Sequence, residues 1–161
     1  MRAGEKICDR EVLRGWAERQ RAAGRTIVLA NGIFDLLHVG HLRYLEEAAA
    51  LADRLVVAVN GDAAARSLKG AGRPVVPGVE RAELLAGLGC VDRVVLIDDL
   101  DMVPLIALLR PDVHAKGTDY TTETVPERDA VHAHGGRVAI TGDPKDHDAT
   151  ALIRKIRGDA S

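Results

Sequence analysis

The chain has 161 residues, of which 47% are apolar and only 2% are aromatic, so one domain with a core of Ala, Val, Leu and Ile is expected. Lys and Arg total 22 against 24 for Asp and Glu, a formal charge of -2, and this balance argues against a nucleic-acid partner. No apolar run approaches the ~20 residues that span a bilayer, and the charged N-terminus lacks the apolar centre of a signal peptide. Cys8 and Cys90 are too few for a disulfide framework or a Cys-rich zinc site, so we expect a cytoplasmic protein with reduced thiols and no membrane partner.

Hydrophobic periodicity predicts alternating helices and strands along most of the chain. The runs TIVLA (26–30) and RLVVAVN (54–60) have no polar face, which is typical of strands buried on both sides. Pro104 and Pro111 mark the start and the end of one helix, because proline is tolerated only in a first turn. In chain order we predict a helix over 9–23, a strand over 26–30, a helix over 38–52, a strand over 54–60, an alanine-rich helix, a Gly- and Pro-rich loop over 69–78, a helix over 79–89, a strand over 92–97, the helix between the two prolines, a strand over 112–116, a helix over 126–136, a strand over 137–141 and a last helix over 149–158.

This alternation predicts an α/β fold: a single Rossmann-like domain with a five-stranded parallel sheet and helices on both faces. The chain contains no internal repeat, low-complexity tract or linker that would divide it. We therefore predict one domain over 1–161, with an N-terminal helix region over 1–24 and a core over 26–157.

Ligands of such open sheets bind beyond the carboxyl ends of the strands, at the point where the strand order reverses. Three polar segments leave predicted strands at that edge: NGIFDLLHVGH (31–41), NGD (60–62) and KGTDY (116–120). No G-x-G-x-x-G follows the first strand, which argues against dinucleotide binding of the usual kind.

Two histidines, His38 and His41, stand at the start of a predicted helix. Their i, i+3 spacing puts both side chains on one face, and Gly40 between them leaves room for a ligand. A helix N-terminus offers free amides and a positive dipole end, which favours a phosphate. A zinc site would need more ligands and the H-E-x-x-H pattern is absent, whereas spacing alone leaves acid/base chemistry open.

The stretch NGIFDLLHVGHLRYL resembles the N/T-x-G-x-F-D-x-x-H-x-G-H signature of the cytidylyltransferase-like nucleotidyltransferase superfamily. The later stretches DRLVVAVNGD, LKGAGRPVVP, ERAELLAGL, LIALLRPDVHAKGTDY and ATALIRKI make the chain from about Lys6 to Arg157 similar to the D-glycero-β-D-manno-heptose 1-phosphate adenylyltransferases within it. The resemblance implies an HxGH nucleotidyltransferase fold with a catalytic core over 26–157. It also implies adenylyl transfer from ATP to that sugar phosphate, giving ADP-heptose and pyrophosphate, with Mg²⁺ accompanying ATP.

Site residues follow from the same resemblance, position by position. The residues expected to be catalytic are His38, His41 and Lys69. Those expected to bind the nucleotide are Asn31, Gly32, Phe34, Gly40, His41, Lys116, Gly117 and Thr150. Those expected to bind the sugar phosphate are Asp35, Asp62, Arg73, Arg81, Asp119 and Tyr120, and no residue is expected to hold a metal. Structural roles stay open for three of the last group, because Asp62 suits a helix cap, Arg81 an ion pair with an acid, and Asp35 a loop anchor.

One stretch departs from the family pattern. Where relatives carry G-H-S-T-T before the last helix, this chain has DHDAT, so Asp146, Asp148 and Ala149 replace Gly, Ser and Thr while His147 and Thr150 remain. Carboxylates beside a triphosphate weaken its binding unless Mg²⁺ or a shifted loop compensates.

Three alternatives to the heptose enzyme have different sequence requirements. A cytidylyltransferase acting on glycerol 3-phosphate or a similar alcohol phosphate would carry an arginine where Asp143 stands. A class I aminoacyl-tRNA synthetase fragment would carry K-M-S-K-S, which is absent. A non-catalytic module that binds a nucleotide or sugar phosphate stays open, because binding and catalysis use the same phosphate contacts.

We also expect a homodimer, because the domain is small and relatives of this kind are commonly dimeric. Leu105, Ile106 and Leu109 share one face of the predicted helix between the two prolines. We expect this face to be exposed and to supply a self-complementary apolar patch.

Overall fold

A computed structural model describes residues 1–144 and 147–159, over which the chain forms eight helices and five strands. All five strands are parallel and lie in the order β3-β2-β1-β4-β5. The predicted five-stranded α/β fold is therefore confirmed. The elements are α1 (Ala3–Lys6), α2 (Arg10–Ala22), β1 (Ile27–Gly32), α3 (Val39–Ala49), β2 (Arg54–Asn60), α4 (Asp62–Lys69), α5 (Gly78–Gly87), β3 (Arg93–Ile97), α6 (Val103–Leu109), β4 (Val113–Lys116), α7 (Arg128–His132), β5 (Arg137–Ile140) and α8 (Ala149–Arg157).

Side chains on the two faces of the sheet form two separate apolar clusters. Successive residues of β1 alternate between them, because side chains of a strand point to opposite faces. Ile27 and Leu29 pack with residues of α2 and α6, whereas Val28 and Ala30 pack with residues of α3 and α5. Burying one such aliphatic side chain contributes about 1.5–3 kcal/mol, so both layers of helices are needed to stabilise the sheet.

The apolar face of α6 is buried, although the sequence suggested an exposed face. Leu105, Ile106 and Leu109 are buried, with at most 1% of their surface exposed, so the prediction of an exposed apolar patch on this face was wrong. They belong to the cluster that also contains Leu13 and Trp16 of α2. The physical reason is that α6 packs on the same face of the sheet as α2, where its apolar face is needed to cover the strands. The homodimer itself stays a prediction.

Several predicted boundaries also differ from the structure, among them those of β1 and α7. The strand β1 extends through Asn31 to Gly32, so these residues pair with β2 instead of starting a loop. The helix predicted over 126–136 is reduced to α7, since only Arg128–His132 are helical and Gly135 has a positive φ of 87°. Within the described residues, the helices are too short or too polar to cross a membrane.

The strand order sets the position of the site. β1 lies between β2 and β4, so the chain moves from β1 to one side of the sheet first and later to the other. The loops that follow β1 and β4 therefore leave the same edge of the sheet on either side of a crevice, which is where ligands of this fold class bind.

Candidate active site

A cavity of about 400 Å³ lies at the carboxyl ends of β1 and β4. It is bordered by the loop between β1 and α3, the loop after β4, and the segment that leads into α8. Most residues predicted from the sequence line it. They are His38, His41, Lys69, Asn31, Gly32, Phe34, Gly40, Lys116, Gly117, Thr150, Asp35, Arg73, Asp119 and Tyr120.

The paired histidines are held by backbone hydrogen bonds at the start of α3. The amide of Gly40 donates to Nδ1 of His38 over 3.1 Å, and the amide of His38 donates to Nδ1 of His41 over 3.3 Å. The two rings stack with their centroids 3.8 Å apart. Because both Nδ1 atoms accept hydrogen bonds, each neutral ring carries its proton on Nε2. The pair thus supplies two N–H donors to the cavity.

The protonation of these rings follows from their surroundings. The pKa of His41 is lowered to about 4, first by burial and then by the neighbouring His38, while Asp35 opposes the shift. Burial also lowers the pKa of His38, with His147 acting in the same direction and Asp148 against it. At neutral pH His41 is therefore a neutral hydrogen-bond donor and not a cation.

Gly40 is required because the His38 ring packs against its Cα and leaves no room for a side chain. A Cβ atom at this position would lie 2.9 Å from Cε1 and 3.0 Å from Nδ1 of that ring. The preceding loop is also constrained, because Phe34 and Leu36 have positive φ angles of 53° and 52°, which is unfavourable for side chains of this size. The loop must therefore be held by contacts elsewhere.

Asp35 provides those contacts. Its buried carboxylate accepts hydrogen bonds from the amides of Val75 and Val76 and from Nε of Arg73, over 2.8, 3.0 and 3.1 Å. Burial by itself would raise the pKa of Asp35, but the three donors outweigh burial and lower it. In turn, Nη1 of Arg73 lies 3.4 Å from the hydroxyl of Thr150. The carboxylate thus orients a guanidinium along the cavity wall.

Asp62 and Arg81 are placed differently, and neither lines the cavity. Arg81 is fully buried, and its guanidinium donates to the carbonyls of Ile33, Asn60 and Val76 and to Oδ1 of Asp62. The same oxygen of Asp62 accepts from the amide of Gly78 over 2.7 Å. This pair joins the chain segments after β1 and β2 to the start of α5. The structure thus gives Arg81 the ion pair with an acid that the sequence left open.

On the β4 side, the ammonium of Lys116 occupies a buried position at the cavity edge. Nζ lies 3.3 Å from Oδ1 of Asn31, 4.7 Å from the centre of the Tyr120 ring and 3.7 Å from Oε2 of Glu127. Burial lowers the pKa of Lys116, and the charge of Glu127 opposes this. A cation held here can meet an anionic group of a ligand.

The segment before α8 brings further polar groups to the cavity. The carboxylate of Asp148 caps α8 by accepting from the amide of Ala151 over 2.6 Å, and the His147 ring lies 6.3 Å from that of His38. Asp146, the other acid that departs from the family pattern, lies outside the described residues. Within those residues, no three His, Cys, Asp or Glu side chains form a group that could hold a metal ion.

Sequence reasoning missed several lining residues, of which Tyr44 is the clearest. Its ring stacks 6.3 Å from that of Phe34, and its hydroxyl donates to the carbonyl of Ala115 over 2.8 Å. The signal was present, because Tyr44 follows His41 by three residues on the same face of α3. Glu127, by contrast, does not line the cavity. It lies outside every recognised motif, seven residues after the end of KGTDY, and left no signal.

A parallel sheet with stacked histidines at a helix N-terminus beside its switch point defines an HxGH nucleotidyltransferase. Comparison with known proteins agrees, because residues 29–151 match the family described as Cytidylyltransferase-like. This chain belongs to that cytidylyltransferase-like family.

The chain is also similar to individual curated proteins. The chain is 47% identical over 151 residues to the bifunctional protein HldE of Syntrophotalea carbinolica, covering 94% of this chain and 31% of that protein. It is 46% identical over 137 residues to the bifunctional protein HldE of Pseudomonas fluorescens, covering 85% of this chain and 29% of that one. The chain thus spans about a third of the length of these relatives.

A solved structure supports the fold. The crystal structure of the lipopolysaccharide core biosynthesis protein from Thermoplasma volcanium GSS1 is 33% identical in sequence, with a TM-score of 0.63. The match covers 73% of this chain and 94% of that one, so the two share one domain architecture.

Proposed function

We propose that this nucleotidyltransferase transfers the adenylyl group of ATP to D-glycero-β-D-manno-heptose 1-phosphate, giving ADP-heptose and pyrophosphate. The observation that carries the proposal is the pair of stacked, neutral histidines at the start of α3, in a cavity also lined by the basic side chains of Lys69, Arg73 and Lys116. The similarity to proteins named HldE and the heptose-type motifs support this choice of substrates.

The proposed reaction needs little acid or base chemistry. A sugar phosphate loses its second proton with a pKa of about 6, so it is mostly a dianion at neutral pH. One of its oxygens forms a bond to the α-phosphorus of ATP while the bond from that phosphorus to the β-phosphate bridging oxygen breaks. Pyrophosphate leaves with the electron pair of that bond. The protein then has to align the two phosphates and stabilise the charge that develops between them.

The two histidines suit charge stabilisation in this scheme. Nε2–H of His38 and of His41 would donate to oxygens around the α-phosphorus, at the positive end of the α3 dipole. Preorganised donors of this kind are each worth about 10²–10³ in rate. Lys69, Arg73 and Lys116 would place positive charge around the remaining phosphate oxygens.

Magnesium enters this scheme as part of the substrate. ATP carries about four negative charges, and Mg²⁺ prefers phosphate oxygens and water to protein cages. We propose that MgATP is the species bound, and that the ion offsets the carboxylate of Asp148, which lines the cavity close to His147.

A substrate matrix tests the proposal. Purified chain with Mg²⁺ would be mixed with ATP, CTP, GTP or UTP and either the heptose 1-phosphate or glycerol 3-phosphate, with pyrophosphate release as readout. We expect release with ATP and the heptose phosphate. Release with CTP and glycerol 3-phosphate would support the cytidylyltransferase alternative, and binding without release in every combination would support a non-catalytic module.

A further inference from the structure

Two largely buried polar side chains beside the cavity, His114 and Glu127, lie outside its lining and have no role in the reaction scheme above. The ring of His114, in the middle of β4, is fully buried, and within the described residues neither of its nitrogens has a hydrogen-bond partner. Oε2 of Glu127 is buried as well and also lacks such a partner in that part of the chain. Buried polar atoms without partners are costly, so a native site that keeps them calls for a reason.

The reason lies in the distances within this group. Oε2 of Glu127 is 3.5 Å from Nε2 of His114 and 3.7 Å from Nζ of Lys116. His114 and Lys116 are two residues apart in β4, so their side chains point to the same face of the sheet. Glu127, from the segment before α7, reaches that face and lies between an imidazole and an ammonium.

We propose that Glu127 is a positioning residue of the site: its carboxylate, 3.7 Å from Nζ of Lys116, fixes the ammonium of Lys116 at the cavity edge. The inference rests on the proposed function in one respect, since Lys116 is taken to meet an anionic group of ATP or of the sugar phosphate. Glu127 itself does not line the cavity, so it acts through Lys116.

Three groups from three segments surround the ammonium of Lys116. Asn31 comes from β1, Tyr120 from the loop after β4, and Glu127 from the segment before α7. A lysine side chain is flexible and carries a compact charge, so contacts of this kind are needed to hold it. Asn31 and Tyr120 are neutral under ordinary conditions, whereas Glu127 supplies a full opposite charge.

The position of Glu127 also protects the ligand from repulsion. A carboxylate in the cavity would oppose a phosphate directly, but this one is behind the ammonium and only 12% of its side-chain surface is exposed. Burial makes the charge of Lys116 less favourable, and Glu127 offsets part of this effect, since the two act in opposite directions on the Lys116 pKa. The arrangement supports the charge of a buried lysine without offering an acid to the substrate.

A double-mutant cycle on ligand binding tests the inference. Dissociation constants of MgATP and of the heptose 1-phosphate would be measured by calorimetry for the wild type, Lys116→Met, Glu127→Gln and the double variant. Glu123→Gln is the matched control, because Glu123 belongs to the same segment and is exposed. We expect Glu127→Gln to weaken one of the two ligands about tenfold, Glu123→Gln to have no effect, and Glu127→Gln to add nothing to Lys116→Met.

A second measurement needs no ligand. In protein labelled with ¹³C at lysine Cε, Lys116→Met assigns the Lys116 resonance and its titration is followed by NMR. We expect the titration midpoint of Lys116 to fall in Glu127→Gln and to stay in place in Glu123→Gln. If Glu127→Gln does not fold, Glu127→Asp takes its place, because it retains the negative charge on a shorter side chain that ends farther from Lys116. This folded variant should weaken the binding of the same ligand.

The outcomes separate this inference from the proposed function. An unchanged Lys116 titration in Glu127→Gln would overturn the inference. So would a double variant in which the two substitutions raise the dissociation constant by the product of their separate effects. If the wild type binds neither ligand, the proposed function fails, while the NMR titration still decides whether Glu127 holds the charge of Lys116.

Discussion

Two Asp–Arg pairs in this molecule have the same side chains but differ in their position relative to the cavity. Asp35 and Arg73 lie in the wall of the cavity, whereas Asp62 and Arg81 lie outside its lining. The guanidinium of Arg81 is fully buried and donates to three backbone carbonyls as well as to its acid. Arg73 is 14% exposed and contacts one carboxylate and one hydroxyl. The comparison teaches that position relative to the switch point, and not residue type, decides whether such a pair lines the cavity or only joins parts of the scaffold.

Replacing Arg81 should give the largest effect on stability. Arg81→Met removes a buried cation from four acceptors, and we expect the free energy of unfolding to fall by about 3–5 kcal/mol, measured by urea denaturation. The control is Arg66→Met, at an exposed position of α4, which should change stability by about 0.5 kcal/mol or less. If Arg81→Met retains normal stability and loses only activity, the division between the two pairs is wrong.

Among the residues that line the cavity, His41 should give the largest fall in kcat when it is replaced. In His41→Ala we expect kcat to fall by about 10²-fold or more, because a donor to the transition state is lost. His132→Ala, at an exposed position of α7, should retain normal kcat. A His41→Ala protein that unfolds, or that turns over at the wild-type rate, would assign His41 to the scaffold.

The lowered pKa of His41 predicts a pH dependence of stability. The unfolded chain takes up a proton near pH 6.5 and the folded protein only near pH 4, so this contribution is complete above pH 6.5 and is lost as the pH falls towards 4. Allowing for the partial exposure of the ring, the loss is roughly 2 kcal/mol. Denaturation at several pH values should therefore show a shallower decline in His41→Gln than in the wild type. Parallel curves would contradict the neutral state assigned to His41.

Replacing Arg73 should give the opposite pattern to Arg81. In Arg73→Gln we expect kcat/KM for ATP or the sugar phosphate to fall about tenfold, because one charge-assisted contact of roughly 1.4 kcal/mol is lost. The loss of unfolding free energy should be smaller than that of Arg81→Met, which serves as the comparison variant. A variant with unchanged kcat/KM and strongly lowered stability would place both pairs in the scaffold.

The sequence predicted the sheet and the histidine loop because both depend on local patterns. Apolar runs without a polar face specify buried parallel strands, and the spacing of His38 and His41 follows from helix geometry. The roles of Asp62 and Arg81 depend on which loops meet in space. A one-dimensional pattern does not contain that information.

Two other features could not be predicted from the sequence, for physical reasons. The apolar face of α6 has the same composition whether it covers the sheet or faces a partner, so only the packing against Leu13 and Trp16 shows that it is buried. Glu127 reaches Lys116 through a turn in a segment without regular periodicity. Contacts of that kind depend on the tertiary fold.

An isotope experiment tests the central claim most directly. The heptose 1-phosphate would carry ¹⁸O in its phosphoryl oxygens, and the products with MgATP would be analysed by mass spectrometry and ³¹P NMR. If a phosphate oxygen of the sugar attacks the α-phosphorus of ATP, all of the label stays in ADP-heptose and the released pyrophosphate contains none. Label in pyrophosphate or in free phosphate, or the absence of ADP-heptose among the products, would contradict adenylyl transfer at this site.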